Sequence, residues 1–489
     1  MKKVFLSLVV LTSMFLQVKA GGLVTNSNQS ASYYRMLARG ASTSGDAVYY
    51  NPAGLAFLDD GLTISLNTQM IWMQRTLTSD FDALKNSEFV GKLFVPVFPG
   101  VYAAYKTGNW TFSLGFNPPA GGGSVEFADG LPMLENSVAL IRKNVLNNPT
   151  LGLTTNDYEM KAMLNGSSIV YGVQAGISYK INDMFSVFGG ARMLFASNSY
   201  EGHVTDIRVN PSAPALAAYG VTADGTMRSA PDFLNTMSTM LDVMGDAANA
   251  GLMSALAAGT GNQYLDAKQK GKGVTPILGI HFQNNSLNLA AKFEFNTQIK
   301  LKNETAAGKN AMNMYPDGQE LRSDVPAVLS LAGSYSILTP LKLSLTYIHH
   351  FEPQATLESW APDATRPNGG DIVPRQKLID GGTNEYMAGL EWNITNKLTI
   401  SAGCQYSDVN VSNAWQNEIA HNLDNFTLGL GAAYHFTDRL TLNIGGLNTW
   451  YTPVTTNGSA SLQGAFATPY SLTYDRTNKA IALGIDYRF

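Results

Sequence analysis

Few residues of this chain are typed and spaced for reaction chemistry. Its six histidines are His203, His281, His349, His350, His421 and His435. Only His349 and His350 are adjacent, and neighbours on an extended segment face opposite sides, which makes them a poor metal pair. Cys404 is the single cysteine, so disulfide frameworks and cysteine-rich zinc sites are excluded. No phosphate-cradling loop or metalloprotease helix motif occurs, and no local Ser/His/Asp arrangement marks a hydrolase. No cofactor is implied. The remaining candidates bind or deform. Arg192 and Lys292 each lie about eight residues beyond a tight polar turn. They suit an anionic head group, or ion pairs with carboxylates such as Glu294 or Glu391. The run Asn117-Pro118-Pro119-Ala120-Gly121-Gly122-Gly123 follows the strand-like Trp110–Phe116. Proline brings no N–H and glycine weakens pairing, so the strand either ends there or kinks. A third group, Asn51-Pro52-Ala53, reads as a turn.

The elements that position these residues are strands. From residue 60 onward the chain is dominated by period-2 alternation. Ile481, Leu483, Ile485, Tyr487 and Phe489 alternate with Ala480, Ala482, Gly484, Asp486 and Arg488. Phe426, Leu428, Leu430, Ala432, Tyr434 and Phe436 alternate with Thr427, Gly429, Gly431, Ala433 and His435. A soluble sandwich would alternate too. Small residues on the polar face and aromatics near the strand ends favour a membrane barrel with an apolar outside.

The connections sharpen this. Tight turns at Thr107-Gly108-Asn109, Asn182-Asp183, Asn284-Asn285-Ser286, Thr339-Pro340, Thr395-Asn396-Lys397 and Thr437-Asp438-Arg439 alternate with long connections near residues 79–91, 129–157, 211–263, 304–322, 358–380, 409–424 and 453–472. Thirteen connections join fourteen strands, with short turns on one side and long loops on the other, the signature of an outer-membrane β-barrel. Period-2 counting from the turns places Arg192 and Lys292 in the lumen at similar depth.

Two long connections carry helical periodicity: Leu131, Leu134, Val138, Ile141 and Val145, and then Phe233, Met237, Met240, Leu241 and Met244, in a helix from Pro231 to about Ala258. These apolar stripes pack on the barrel rim or form a greasy groove for a hydrophobic ligand, helped by adaptable methionines. Residues 21–60 lack a strand pattern and are rich in apolar and aromatic side chains. They cannot lie in lipid with unpaired backbone, and a plug folded into the lumen explains their composition better than a free tail. Residues 1–20, with Lys2 and Lys3, an apolar Val4–Leu16 stretch and Val18-Lys19-Ala20, read as a secretory signal peptide cleaved after Ala20. Composition agrees. Only 14% of residues are charged, 33 Lys+Arg face 37 Asp+Glu, and mean hydropathy is −0.05. There is no basic excess for nucleic acid and no apolar run long enough for a membrane helix.

With these features in order, the sequence resembles the FadL/TodX family of outer-membrane transporters for hydrophobic compounds. The residues that carry the resemblance are the N-terminal segment ending in Asn51-Pro52-Ala53 before the first strand, the Asn117–Gly123 run in the third, the fourteen-strand count and the terminal Tyr487-Arg488-Phe489. The last is similar to the C-terminal aromatic signal that outer-membrane barrels present to the barrel-assembly machinery. The resemblance implies an all-β transmembrane barrel over 61–489 with a hatch over 21–60, in the outer membrane of a Gram-negative bacterium. It also implies passive uptake of fatty acids or aromatic hydrocarbons. Ligand is caught by the helical loops, passed into the plugged lumen, and released into membrane lipid through a third-strand kink at Pro118, Pro119, Gly121, Gly122 and Gly123, with gating at Asn51, Pro52 and Ala53. Where fatty-acid members have basic residues this chain has Ser197 and Thr383, so their head-group site does not carry over. Rival readings are an aqueous diffusion porin, which the plug disfavours, and a surface adhesin whose long loops bind a protein.

Overall fold

The structure, a computed structural model, describes Leu23 and residues 25–362, 369–462 and 465–489. The expected signal peptide lies outside these residues. Fourteen antiparallel strands form one closed barrel. They are β1 (Gly61–Ser79), β2 (Glu88–Thr107), β3 (Trp110–Phe127), β4 (Thr154–Lys180), β5 (Phe185–Ser212) and β6 (Gln263–Gln283). Two interrupted strands follow, β7 (Leu287–Glu294 and Lys300–Asn310) and β8 (Glu320–Arg322 and Val328–Leu338). The rest are β9 (Leu341–His350), β10 (Asn384–Asn393), β11 (Leu398–Asp408), β12 (Asn425–His435), β13 (Leu440–Tyr451 and Val454–Leu462) and β14 (Ala465–Arg488). β1 closes the barrel on β14, in register from Thr63↔Arg488 to Ser79↔Leu472.

Alternation sorts the faces. On β14, Ile481, Leu483 and Ile485 point outward, whereas Ala480 and Ala482 are buried inside. The outward residues of all strands make an apolar belt bounded by aromatics. Near the turn end lie Tyr105, Trp110, Phe185, Tyr335, Trp392, Tyr434 and Phe489; near the loop end lie Trp72, Phe94, Phe195, Tyr386, Tyr406, Phe426 and Trp450. Neighbouring strands pair these rings, as in Trp72–Phe94 at 5.5 Å and Phe185–Phe282 at 5.0 Å between centroids. Among the described residues no helix is long and apolar enough to cross a membrane, and this belt is what can cross a bilayer.

All six turns fall where the sequence places them, and five of the seven long connections are shorter than expected because strands continue beyond the belt; the one expected at 358–380 instead spans residues 351–383, and that at 409–424 keeps its bounds. Residues 453–472 are the extreme case. Instead of a loop, Val454–Leu462 pairs with β14 from Val454↔Tyr474 to Leu462↔Ala465. Main-chain pairing works as well in water as in lipid, so Thr- and Ser-rich alternation carries the ladder outward.

Helices lie in the N-terminal segment and the loops: α1 (Ala31–Arg35), α2 (Ala47–Tyr50), α3 (Pro132–Leu140), α4 (Ala230–Val243) and α5 (Ala247–Gly259). A 3-10 turn, Pro52–Phe57, leads from α2 toward β1. The single helix expected from Pro231 to about Ala258 is two helices, broken where Gly245 takes a φ of 81° that helix geometry excludes.

Candidate functional site

Residues 25–57 thread the lumen from the loop end toward the turn end and fill it. Wall glycines make this possible. A Cβ on Gly389, Gly403, Gly429, Gly445 or Gly484 would collide with plug atoms from Ala31 to Leu37 or with the Asn67 side chain that holds them, so glycine lets α1 approach the wall. Arg35 of α1 pairs with Glu391 on β10 at 2.5 Å and donates to Asn443 on β13 at 3.1 Å. The plug also has a centre of its own. The Asp46 carboxylate accepts from Arg39 Nη2 at 2.7 Å and Nε at 2.9 Å, and from the hydroxyls of Ser30 (2.8 Å), Ser42 (2.9 Å) and Ser44 (3.1 Å). Burial alone would raise the Asp46 carboxyl, but the Arg39 guanidinium and the serine hydroxyls outweigh it and hold it below the usual carboxylate range.

Asn51, Pro52 and Ala53 anchor the lower end of the plug to β4, β5 and β6. Asn51 Nδ2 donates to Ser42 O at 2.9 Å and contacts His281 Nδ1 at 2.8 Å. The Pro52 and Ala53 carbonyls accept from Ser178 and Ser186, each at 2.7 Å. Just above, Arg192 and Lys292 are brought together on one carboxylate. Arg192 Nη1 and Lys292 Nζ both lie 2.7 Å from Glu294. Lys292 also donates to the Tyr49 carbonyl at 2.7 Å, and both cations sit over the Tyr49 ring at 4.8 and 4.9 Å. These charges therefore clamp the plug to the wall. Of the positions where fatty-acid members carry basic residues, Thr383 is buried against Glu352 and Ser197 faces outward. His350 points inward, with Nδ1 3.1 Å from Thr25 Oγ1, while His349 bonds to Asn384 on the other face.

The wall is interrupted between β2 and β3. Pairing runs from Thr107↔Trp110 to Val101↔Phe116 and resumes only at Lys92↔Glu126. Residues 93–100 and 117–125 have no ladder between them, although β3 stays paired to β4 through two register shifts. Residues 117–122 are buried on both alternations, so β3 has moved inward. Gly121 and Gly123 take φ of 84° and 96°, and a Cβ at Gly121 would strike the Ser168 carbonyl and Ile169 Cα. Prolines flank the break on both strands: Pro118 and Pro119 on β3, Pro96 and Pro99 on β2. They bring no N–H to a place where an unpaired donor would cost several kcal/mol. Plug residues satisfy the freed carbonyls. Asn26 N donates to Pro119 O at 2.7 Å, Asn26 Nδ2 to Gly121 O at 2.5 Å and Gln29 Nε2 to Pro118 O at 3.1 Å; Asn117 Nδ2 donates to Gln29 Oε1 at 2.7 Å. The β2 prolines escape notice in the sequence because each is separated from the next by apolar residues that read as strand. Their spacing opposite a Pro-Pro-x-Gly run is the available signal.

The apolar helical residues divide. Val138 and Ile141 join Phe233, Met237, Met240 and Leu241 in one buried cluster beneath α4 and α5. Leu131 and Leu134 belong instead to the lumen cluster that includes the plug tyrosines, and Met244, past the helix end, is exposed. The expected groove is thus packed shut by its own side chains. Beside it an open cleft of about 900 Å³ runs between Glu159–Lys161, Asp206–Arg208 and Ser229–Pro231.

Three loops close the mouth. Residues 415–423 turn inward and are buried. Trp415 packs under Arg375 at 4.0 Å, Glu418 accepts from Met133 N at 2.8 Å, and the Ile419 carbonyl accepts from Arg75 Nη1 at 2.7 Å. Burial pushes the Glu418 carboxyl up to about 8. Burial, then the nearby Arg75 and Arg476 guanidiniums, holds the His421 imidazole well below its ordinary value. Sequence reading misses this inward loop, since its composition is that of any polar connection.

No protein-family model and no curated protein matches this sequence. Solved structures share the fold. A FadL homologue from Pseudomonas aeruginosa aligns with a TM-score of 0.63 at 15% identity, over 96% of this chain and 100% of that one. The toluene transporter TodX of P. putida gives 0.55 at 15%, covering 92% and 95%, and the toluene transporter TbuX of Ralstonia pickettii gives 0.51 at 16%, covering 91% and 94%. At such identities the likeness is one of fold. At that level the resemblance read from the sequence holds: the barrel has the fold of the FadL and TodX structures.

Proposed function

We propose that the chain is a passive outer-membrane channel for hydrophobic small molecules, fatty acids or aromatic hydrocarbons, rather than an enzyme. The observation that carries the reading is the break between β2 and β3, proline-lined on both strands and sealed from inside by plug residues Asn26 and Gln29. Such a break forfeits ladder hydrogen bonds, and its use as an exit for an apolar solute has a clear energetic rationale. Each CH₂ returned to water costs about 0.8 kcal/mol, whereas a side exit leads straight into lipid. Ligand enters past the loops, the segment from Asn26 to Gln29 withdraws, and ligand leaves between Val95 and Gly123. The ties of Asn51, Pro52 and Ala53 to β4–β6 hold the lower plug, so the motion is assigned to the upper part. A diffusion porin fits poorly. The lumen cavities beside the plug, about 40 and 70 Å³, hold a few water molecules each, not a water column.

The test is a reversible lock. In a Cys404→Ser background, Gln29→Cys with Asn117→Cys puts one thiol on each side of the 2.7 Å hydrogen-bonded pair, to be joined by a short bis-methanethiosulfonate cross-linker that spans plug and kink. Uptake of toluene and of dodecanoate into proteoliposomes should stop on cross-linking and return on reduction. Undiminished uptake by the cross-linked protein would refute the side-exit route.

A further inference from the structure

The outer face of the barrel changes character abruptly on β6 and β7. Ile280, Leu278, Pro276 and Val274 of β6 face outward in turn, and the next three outward positions are Lys272, Lys270 and Lys268, all exposed. Phe195 of the loop-end girdle is the register partner of Lys272 on β5, so the lysines start where the apolar belt stops. β7 adds Lys300 and Lys302, also exposed, with Lys302 directly opposite Lys270. Like charges opposite one another on a sheet destabilise it, and nearby acids answer only part of this charge. Glu304 stands opposite Lys268 in register but pairs with Lys270 at 2.8 Å, and Glu320 stands opposite Lys302. Opposite Lys300 is a further cation, Arg322, itself held by Asp324 at 2.5 Å. Among the described residues no carboxylate forms an ion pair with Lys268, Lys272 or Lys300. Higher on the same face acids return: Asp266 takes Lys309 at 3.6 Å, and Glu201 is its register partner. The basic band from Lys272 to Lys268 therefore spans about 13 Å of strand, or about 10 Å along the axis of a tilted barrel. That is the scale of a head-group layer. By contrast Lys92, beside Phe94, and Lys479, opposite Trp72, flank the same girdle as single lysines.

We infer that β6 and β7 present a docking surface for a lipid with phosphate in its head group, in the leaflet on the loop side of the barrel. Ammonium groups bind phosphate as point charges, and lysine stems run along apolar surface to carry them into the polar layer. Continuity with the belt selects a lipid over a soluble acidic partner. Phe195 and Val274 offer acyl chains an apolar contact immediately below the cations, and a protein would have to displace the head groups to reach them. The inference rests on the barrel lying in a membrane. It is independent of the side-exit route, since every lysine named faces away from the lumen.

The test is native mass spectrometry of the purified full chain in neutral detergent, titrated with dioleoyl phosphatidic acid and, separately, dioleoyl phosphatidylcholine. The two lipids share their chains and differ in head-group charge. A lysine at an anionic lipid surface favours binding roughly five-fold, so Lys268, Lys272 and Lys300 together predict a preference for phosphatidic acid of roughly a hundred-fold. Replacing those three by Gln should abolish the preference, whereas Lys92→Gln with Lys479→Gln should keep it. The wild-type ratio of the two lipids needs no variant to fold. Equal binding of both lipids by the wild type would overturn the inference. So would a preference that survives the triple replacement, or one lost as fully in the Lys92 and Lys479 control. Inorganic phosphate or polyglutamate displacing phosphatidic acid at equal concentration would overturn the lipid in favour of a soluble anion or an acidic protein. None of these outcomes bears on uptake through the side exit, which the plug cross-link tests separately.

Discussion

Replacing Asp46 by Ala would leave the Arg39 guanidinium inside the lumen without its counter-charge. Asp46 and Arg39 side chains are 3% and 4% exposed, so little solvent screening is available to soften the loss. Breaking one side of a buried ion pair costs roughly 3–5 kcal/mol, and the hydroxyls of Ser30, Ser42 and Ser44 lose their acceptor as well. At about 1.4 kcal/mol per decade, the lower figure alone raises the fraction of released plug by roughly a hundred-fold. Single-channel recording in planar bilayers should then show frequent openings in Asp46→Ala where the wild type is nearly silent, and protease added from the turn side should cut the plug. Arg39→Met combined with Asp46→Leu removes both charges and should recover most of the closed state. The pH dependence has a definite sign. The Asp46 carboxyl is held below its ordinary 3.8, so its contribution is complete above that value and fades only as pH falls through the lower native one. Openings should be insensitive to pH near neutrality and rise in strong acid. An Asp46→Ala trace as quiet as the wild type, with the plug equally resistant to protease, would refute the idea that this pair holds the plug.

Two further outcomes follow from the same geometry. Gly121→Ala must place a Cβ against the Ser168 carbonyl at a φ of 84°; a loss of roughly 1–3 kcal/mol should appear in urea unfolding of the detergent-solubilised barrel, whereas Gly108→Ala, open around its Cβ, should lose less. For Glu418, burial raises the carboxyl from 4.5 to about 8, so the folded loop binds the proton more tightly than the unfolded chain. The loop's seating therefore weakens as pH climbs from about 4.5 toward 8 and levels off above. Hydrogen-exchange protection over residues 415–423, taken relative to the intrinsic base-catalysed rate at each pH, should fall across that window in the wild type and stay constant in Glu418→Gln.

By itself the sequence determined the architecture. Alternation at period 2, tight polar turns and the ordering of short and long connections are local properties, written in contiguous residues such as 480–489, and they sufficed for fourteen strands and an apolar exterior. The Pro-Pro-x-Gly-Gly-Gly run likewise announced a disturbance in β3, because missing donors and absent Cβ atoms act where they stand. Tertiary structure decided what those features meet. Period-2 parity tells which face a side chain takes, but not its partner across the lumen. Hence Arg192 and Lys292 were legible as lumen cations while their shared Glu294 and their grip on Tyr49 were not. Arg75 and Arg476, about four hundred residues apart in the chain, become neighbours only because β1 closes on β14 in one register. The inward turn of residues 415–423 and the division of Leu131 and Leu134 from Val138 and Ile141 depend on which surfaces remain to be covered once the barrel is closed. Closure converts a list of faces into pairs, and pairing decides which charges are spent on holding the N-terminal segment against the wall.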